Sequence, residues 1–485
     1  MKHALFFLLA LTSAFAGGAQ GYRITVSYQP VAGGQLYLGY YYGDKKYLQD
    51  SARIGADGTA VFSGNERLTG GLYIVVDPEK QRFFDVLIDK DQDISIRIDP
   101  QNFRMASISG SPENLHLDAY QQATQRIFKD YGSWQEQLRT ARNRSDSTRL
   151  EQQMNGALAA AQQWRDSFVV VQPDSYLSLL FRLLKEPVYQ VTGKTRQDTL
   201  NAYYAYKKAY WQDVAFGDER LLRTPMFEQR LTRYMEQVVT RHPDSLKQEA
   251  DRMILSSRGN TTMFRYYLNR FTNEYMNPKY MGLDVVFLHL FEKYYLTNQV
   301  DWLEEKDREL VYNRAYSLMG NIVGEPAADL QLLDTAGRRQ SLYGLNARFT
   351  LLVFWDPDCS HCREQVPRLD SFYRAAWKQW GVQPVGVLVD TIRSDKSKWP
   401  AVKDKWTRYI RDEKLAGWQH WYQSFELRED ERRRNLPNYR QSYDVYQTPT
   451  LYLLDKDKRI LAKKIGPDQL DEFLRFHTSQ QANHP

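Results

Sequence analysis

Cys359 and Cys362 are the only cysteines in 485 residues, and two residues separate them in Trp355-Asp-Pro-Asp-Cys-Ser-His-Cys362. A chain of this length without other thiols must rest on packed cores, since it has no long-range disulfide staples. A bridge across two intervening residues closes a tiny loop and removes little chain entropy. The spacing suits reversible chemistry instead. One thiolate attacks a foreign disulfide and its neighbour resolves the mixed disulfide.

The flanking sequence places the pair. Phe349 to Trp355 is a short apolar run of the kind a fully buried central strand shows. From Arg363 to Trp380, Val366, Leu369, Phe372, Tyr373 and Trp377 recur at helical spacing, and Pro367 should kink that helix. The cysteines therefore fall at a strand-to-helix turn, with Cys359 near the helix N-terminus, where unpaired amides and the helix dipole favour a thiolate. Farther on, Thr448-Pro449 precedes a strand-like run to Asp455, a turn, and a second strand at 459–465.

In these elements the chain resembles the thioredoxin superfamily, and within it the exported reductase branch that includes cytochrome-maturation proteins. The resemblance covers about 322–477, a third of the chain, and rests on Phe354-Trp355, Cys359, Cys362, Pro367 and Thr448-Pro449. It implies that Cys359 is the exposed nucleophile and Cys362 the resolving thiol. It also implies a cis-proline at Pro449 facing the dithiol, and a Thr448 backbone that pairs with an extended substrate segment. His361, Trp355 and Asp358 are then the residues placed to tune the couple or meet substrate.

His361 can set positive charge beside the Cys359 thiolate, whereas Asp358 opposes it. The expected potential is above the roughly −270 mV of thioredoxin. Cytosolic thioredoxins carry a buried acid six residues before the first cysteine, and here that position is Val353. The proton acceptor for Cys362 is thus left open between Asp390 and Asp358, with the alternative that both are solvated loop acids. Pro449 lies 90 residues beyond Cys359, more than a minimal thioredoxin needs, and the excess sits in 392–440 with Trp399, Trp406, Trp418 and Trp421.

Other readings of the pair fare worse. A zinc site needs about four ligands, and Cys359, His361 and Cys362 are too crowded to share one ion. A peroxiredoxin would need threonine or serine three residues before its cysteine and proline seven before, where Asp356 and Leu352 stand. A purely structural bridge, or an adaptor using the fold only as scaffold, has no need for both the cysteine pair and Thr448-Pro449.

The rest of the chain suggests two further modules. Lys2 and His3, an apolar stretch from Ala4 to about Ala16, and Ala14-Phe15-Ala16 read as a secretory signal over residues 1–20. No other segment has the roughly 18 apolar residues of a membrane span, and no cysteine near the cleavage point offers a lipid anchor. Residues 21–107 read as an all-β, sandwich-like module, of the kind that accompanies thioredoxin domains in exported proteins of Bacteroidetes-type bacteria. Asp89 to Asp93 is a strand-connecting turn, because Ile94 and Pro100 stand where a calcium loop needs glycine and glutamate.

Residues 108–320 read as helical. Ser111-Pro112, Pro173-Asp-Ser and Pro243-Asp-Ser are start signals, and Phe227, Leu231, Tyr234 and Val238 share one face. The third module, 321–485, is the α/β thioredoxin-like fold. A formal charge of +6 is small for this length, and Arg432-Arg433-Arg434 is flanked by acids, which excludes a nucleic-acid patch.

The expectation is therefore an exported, multidomain thiol-disulfide oxidoreductase, reductase or isomerase rather than oxidase. It would need no cofactor and no metal. Its partners would be proteins bearing disulfides or thiols and a separate, membrane-bound redox partner. The periplasm is the expected compartment, with cell-surface association as the alternative.

Overall fold

The computed structural model describes residues 21–482 apart from 30–32, 100, 104–105, 186 and 391–394. Residues 1–20, read from the sequence as a secretory signal, lie outside the described residues. The chain divides into two compact units, Met1–Thr240 with Arg252–Arg265, and Arg241–Asp251 with Tyr266–Pro485. The helical region is thus shared between them.

The first unit begins with eight strands. β1 (Tyr22–Ser27), β4 (Thr59–Gly64), β7 (Asp93–Ile98) and β8 (Ala106–Ser109) form one sheet in the order β4-β1-β7-β8. β2 (Gln35–Tyr42), β3 (Lys45–Arg53), β5 (Gly71–Val76) and β6 (Phe83–Ile88) form another in the order β3-β2-β5-β6. Alternation explains the architecture: Ile94, Ile96 and Ile98 of β7 are buried, and they share one core with Ile24, Leu36, Leu38, Val75 and Val86 from both sheets. The turn at Asp89 to Asp93 joins β6 to β7, as expected.

β3 and β8 lack an apolar alternation that the sequence could reveal. Both are edge strands, and four of the first residues of β3 are exposed. Helices follow, beginning where the capping signals stand. Ser111 caps Pro112–Ile127 through the Asn114 amide at 3.4 Å, and Ser175 caps Tyr176–Leu184 through that of Ser178 at 3.1 Å. The aromatic residues of this region pack with one another: the Tyr120 ring lies 4.7 Å from Phe181, and Tyr210 lies 4.9 Å from Tyr234.

The second unit holds helices Asp284–Leu290 and Glu305–Met319 and a seven-stranded mixed sheet. Its strands are β9 (Gln331–Asp334), β10 (Arg339–Ser341), β11 (Phe349–Trp355), β12 (Val382–Leu388), β13 (Gln419–Tyr422), β14 (Thr450–Leu454) and β15 (Ile460–Lys463), in the order β10-β9-β13-β12-β11-β14-β15. β11 runs parallel to β12 and antiparallel to β14, and all seven of its residues are buried. Its odd-numbered side chains Leu351, Val353 and Trp355 enter one core with Cys362 and Val366, and Leu352 and Phe354 enter another with Val385, Val387 and Tyr452.

Helix Ser360–Phe372 follows β11, with Pro367 inside it. β15, at one edge, is covered by the segment 324–327: the Gly324 amide bonds Ile460 O at 2.8 Å, and the Ile460 amide bonds Glu325 O at 3.0 Å. No helix among the described residues is long and apolar enough to cross a membrane.

Candidate active site

β11 delivers the chain to Asp356, and the turn through Pro357 and Asp358 places Cys359 as the N-cap of helix Ser360–Phe372, with extended φ/ψ of −76° and 123°. The Cys359 amide bonds Asp356 O at 3.1 Å, which closes the turn. Both cysteines are free; Cys359 is partly exposed and Cys362, one turn into the helix, is fully buried. The Thr448–Pro449 peptide is cis, as the resemblance implied. The Cys359 thiol donates to Thr448 O at 3.2 Å, so the proline loop and the dithiol meet.

Electrostatics separate the two thiols. Partial burial opposes ionisation of Cys359, but hydrogen bonding at Thr448, at the Cys362 and His361 backbone and at the Cys362 thiol outweighs it, and the group titrates below an ordinary thiol. Burial pushes Cys362 up to about 12, and the neighbouring Cys359 adds to the rise, against hydrogen bonding at the Asp356 backbone and at Thr448. At neutral pH one sulfur is poised to ionise and the other keeps its proton.

The remaining residues singled out from sequence are placed unequally. The His361 ring is exposed and makes no hydrogen bond or ion pair among the described residues, and the group that reaches Cys359 is the His361 main chain. Trp355 is fully buried beneath the dithiol turn, its ring 5.2 Å from Tyr409. It therefore supports the turn and does not face solvent. Gly386 on β12 leaves room for that indole: a Cβ there would come within 2.8 Å of Trp355 Nε1 and 3.1 Å of His420 Nδ1. Asp358 is exposed and pairs with Lys405. Asp390 is buried, with Oδ2 bonded by Arg428 at 2.7 Å.

Two groups beside the buried thiol were not among the sequence candidates. Asp356 is half-buried, and burial, reinforced by Asp358 and Asp390, raises its pKa against a bond from the Asp358 amide at 2.8 Å. Tyr409, on helix Trp399–Asp412 of the 392–440 segment, is raised to about 12 by burial, Glu413 and Cys362. Its hydroxyl has no hydrogen-bond partner among the described residues. Asp356 carried the signal of lying between the strand end and a proline, whereas Tyr409 comes from 50 residues beyond Cys359 and carried none.

An accessible thiol of lowered pKa backed by a buried thiol of raised pKa is the equipment of disulfide exchange, and the domain that carries it is a thioredoxin-like thiol-disulfide oxidoreductase. Residues 323–463 belong to the AhpC/TSA family, and residues 22–117 match a domain of unknown function, DUF4369. Among curated relatives, the thiol-disulfide oxidoreductase ResA of Bacillus cereus is 23% identical over 164 residues, 32% of this chain and 77% of that protein. Among solved structures, a thioredoxin-like protein from Bacteroides caccae is similar over 60% of this chain and 96% of its own, with 21% identity and a TM-score of 0.45. A domain of a possible thiol-disulfide isomerase from Cytophaga hutchinsonii is 31% identical, with 33% of this chain and 97% of that one covered and a TM-score of 0.27.

Proposed function

We propose that the protein is an exported enzyme that reduces or isomerises disulfides in other proteins. The asymmetry of the two thiols carries this reading: Cys359 is accessible, hydrogen-bonded to Thr448 O and acidic, and Cys362 is buried and held protonated. The Cys359 thiolate attacks one sulfur of a substrate disulfide, forming a mixed disulfide and expelling the other substrate sulfur as thiolate. Cys362 then loses its proton and attacks Cys359 Sγ. The second substrate thiolate leaves, and the enzyme keeps a Cys359–Cys362 disulfide. The substrate has gained two electrons.

Asp356, half-buried and with its pKa raised, is assigned as the acceptor of the Cys362 proton in place of Asp358 or Asp390. A membrane-bound partner returns the electrons, and the cycle needs no dissociable cofactor. The periplasm, the signal segment 1–20 and module limits at 107 and 320 belong to the same proposal. Trp355 and Asp358 support the turn, and Thr448 and Pro449 form the edge that receives the substrate chain.

A trapping experiment tests the roles. In cells expressing Cys362→Ala, Cys359 should accumulate mixed disulfides with exported proteins, released by reductant, and Cys359→Ala should trap none. Brief iodoacetamide treatment of the reduced protein should label Cys359 first. Labelling of Cys362 ahead of Cys359, or no trapped protein, would reverse the assignment.

A further inference from the structure

Beside the proline loop, within the second unit, lies a cleft of about 520 Å³. Its walls are the segment 277–284, Arg314, Tyr446 and Gln447, Thr450 and the chain at 463–465. Gln447 directly precedes Thr448, whose carbonyl oxygen is 3.2 Å from Cys359 Sγ. One residue of main chain, about 3.8 Å between Cα atoms, therefore separates the cleft from the edge where a substrate would lie.

The far wall is firmly built. Lys463 is buried and its Nζ bonds Asn321 O at 2.6 Å and Asn321 Oδ1 at 2.8 Å, and it pairs with Asp284. The Lys463 amide also meets Met281 Sδ at 3.1 Å. Asp444, buried, is shared by Arg314 and Lys464. The helical region and the sheet thus meet around charges that are already compensated.

Two features point to the occupant. Asp284 lines the cleft, is 5% exposed, and its Oδ1 has no hydrogen-bond partner among the described residues, so it can accept an N–H. Four lining cations, Lys279, Arg314, Lys463 and Lys464, face two lining acids, Asp284 and Asp444. Lys279 is exposed and makes no ion pair among the described residues, and Tyr280 beside it is 41% exposed. A small free anion would meet the Asp284 carboxylate with nothing to offer it. An extended polypeptide carrying acidic side chains supplies both an N–H for Asp284 and carboxylates for the rim.

We propose that this cleft seats the substrate polypeptide flanking its cysteine and selects acidic side chains there. The proposal rests on the exchange reaction above and gives the interhelical connection 277–284 a place in substrate recognition. Charge complementarity at the rim acts on encounter, and so should fade with salt.

The test uses pre-reduced full-length protein in single turnover with two peptide disulfides of one sequence, glutamate flanking the cysteine in one and serine in the other. Hydroxyethyl disulfide serves as a third, uncharged probe. Wild type should react about five-fold faster with the acidic peptide at low salt, the size of an exposed ion-pair effect. Lys279→Glu should abolish or invert that ratio, as should about 1 M salt, where the Debye length is about 3 Å. Tyr280→Ala should slow both peptides relative to hydroxyethyl disulfide. An equal rate for both peptides in wild type, or an undiminished ratio in Lys279→Glu, overturns the cleft assignment while leaving the exchange reading intact. Failure of wild type to reduce even hydroxyethyl disulfide overturns both.

Discussion

The two flanks of the dithiol are held by different physics. On the proline side, the anchors are buried ions: Lys463 with Asp284 and Asn321, and Asp444 with Arg314 and Lys464. On the other side, the 392–440 segment is held by aromatic packing. Trp399 lies 4.8 Å from Tyr422, Trp406 5.9 Å from Tyr422, and Tyr409 5.2 Å from Trp355. Buried ions fix geometry but add little net stability, because desolvation offsets their attraction. Aromatic burial adds stability outright but sets orientation less strictly. The flank proposed to read substrate is the one with the stricter geometry.

The largest expected effect separates these mechanisms. Lys463→Ala leaves Asp284 buried and uncompensated and should cost about 3–5 kcal/mol in denaturant unfolding. Joining Lys463→Met to Asp284→Leu should recover most of that. Trp406→Ala, which empties a fully buried site, should cost a similar 3–5 kcal/mol, with no paired change able to restore it. If the Lys463–Asp284 double variant is no better than the single, the ions contribute more than position.

Acid should separate the flanks next. His420, buried on β13 with Nε2 donating to Leu415 O at 3.0 Å, is lowered to about 4 by burial against an ordinary 6.5. The fold needs the neutral ring and the unfolded chain takes the proton, so stability is full above about 6.5 and declines as pH falls toward about 4. The loss is at most about 3 kcal/mol. Asp444 behaves differently: burial opposes its ionisation, but Lys464 and Arg314 outweigh burial and lower its pKa. Its contribution persists until pH falls below the ordinary carboxylate value. Hydrogen exchange should therefore show 402–422 loosening between pH 6.5 and 4 while 460–464 stays protected. Simultaneous loosening would mean the flanks are one cooperative element.

Smaller effects probe the turn between the flanks. Gly386→Ala should destabilise by about 1–3 kcal/mol, the usual cost of overpacking, with a change in Trp355 fluorescence. His361→Ala should make the couple more reducing by roughly 30 mV, equal to about 1.4 kcal/mol for two electrons, measured against glutathione. An unchanged potential would assign the tuning to the His361 backbone alone.

What was legible in the chain was local. β11 declares itself by seven apolar residues, the helix by its spacing after the cysteines, and the proline loop by Thr448-Pro449 before another apolar run. Each is a contiguous signal from a buried or capped element. β3, β8, β9, β10 and β13 were not read as strands. Three of them, β3, β8 and β10, are edges, half-solvated and free of strong alternation, and the other two are four residues long. The groups around the buried thiol were less legible, for another reason. Asp358 and Asp390 looked suitable by sequence position, but the fold turns the first to Lys405 and the second to Arg428. Tyr409 comes beside Cys362 only through tertiary packing, whereas Asp356 belongs to the cysteine turn itself.

The covering of β15 by 324–327 has a consequence for the company such an enzyme keeps. On the function proposed above, its substrates, while their cysteines are exchanging, would be incompletely folded chains with strands to offer. An open sheet edge recruits such chains by main-chain pairing. Here one edge is occupied by the enzyme's own backbone, and the other, β10, is three residues long. A client can be held through its cysteine and released, with neither border of the sheet able to template its aggregation.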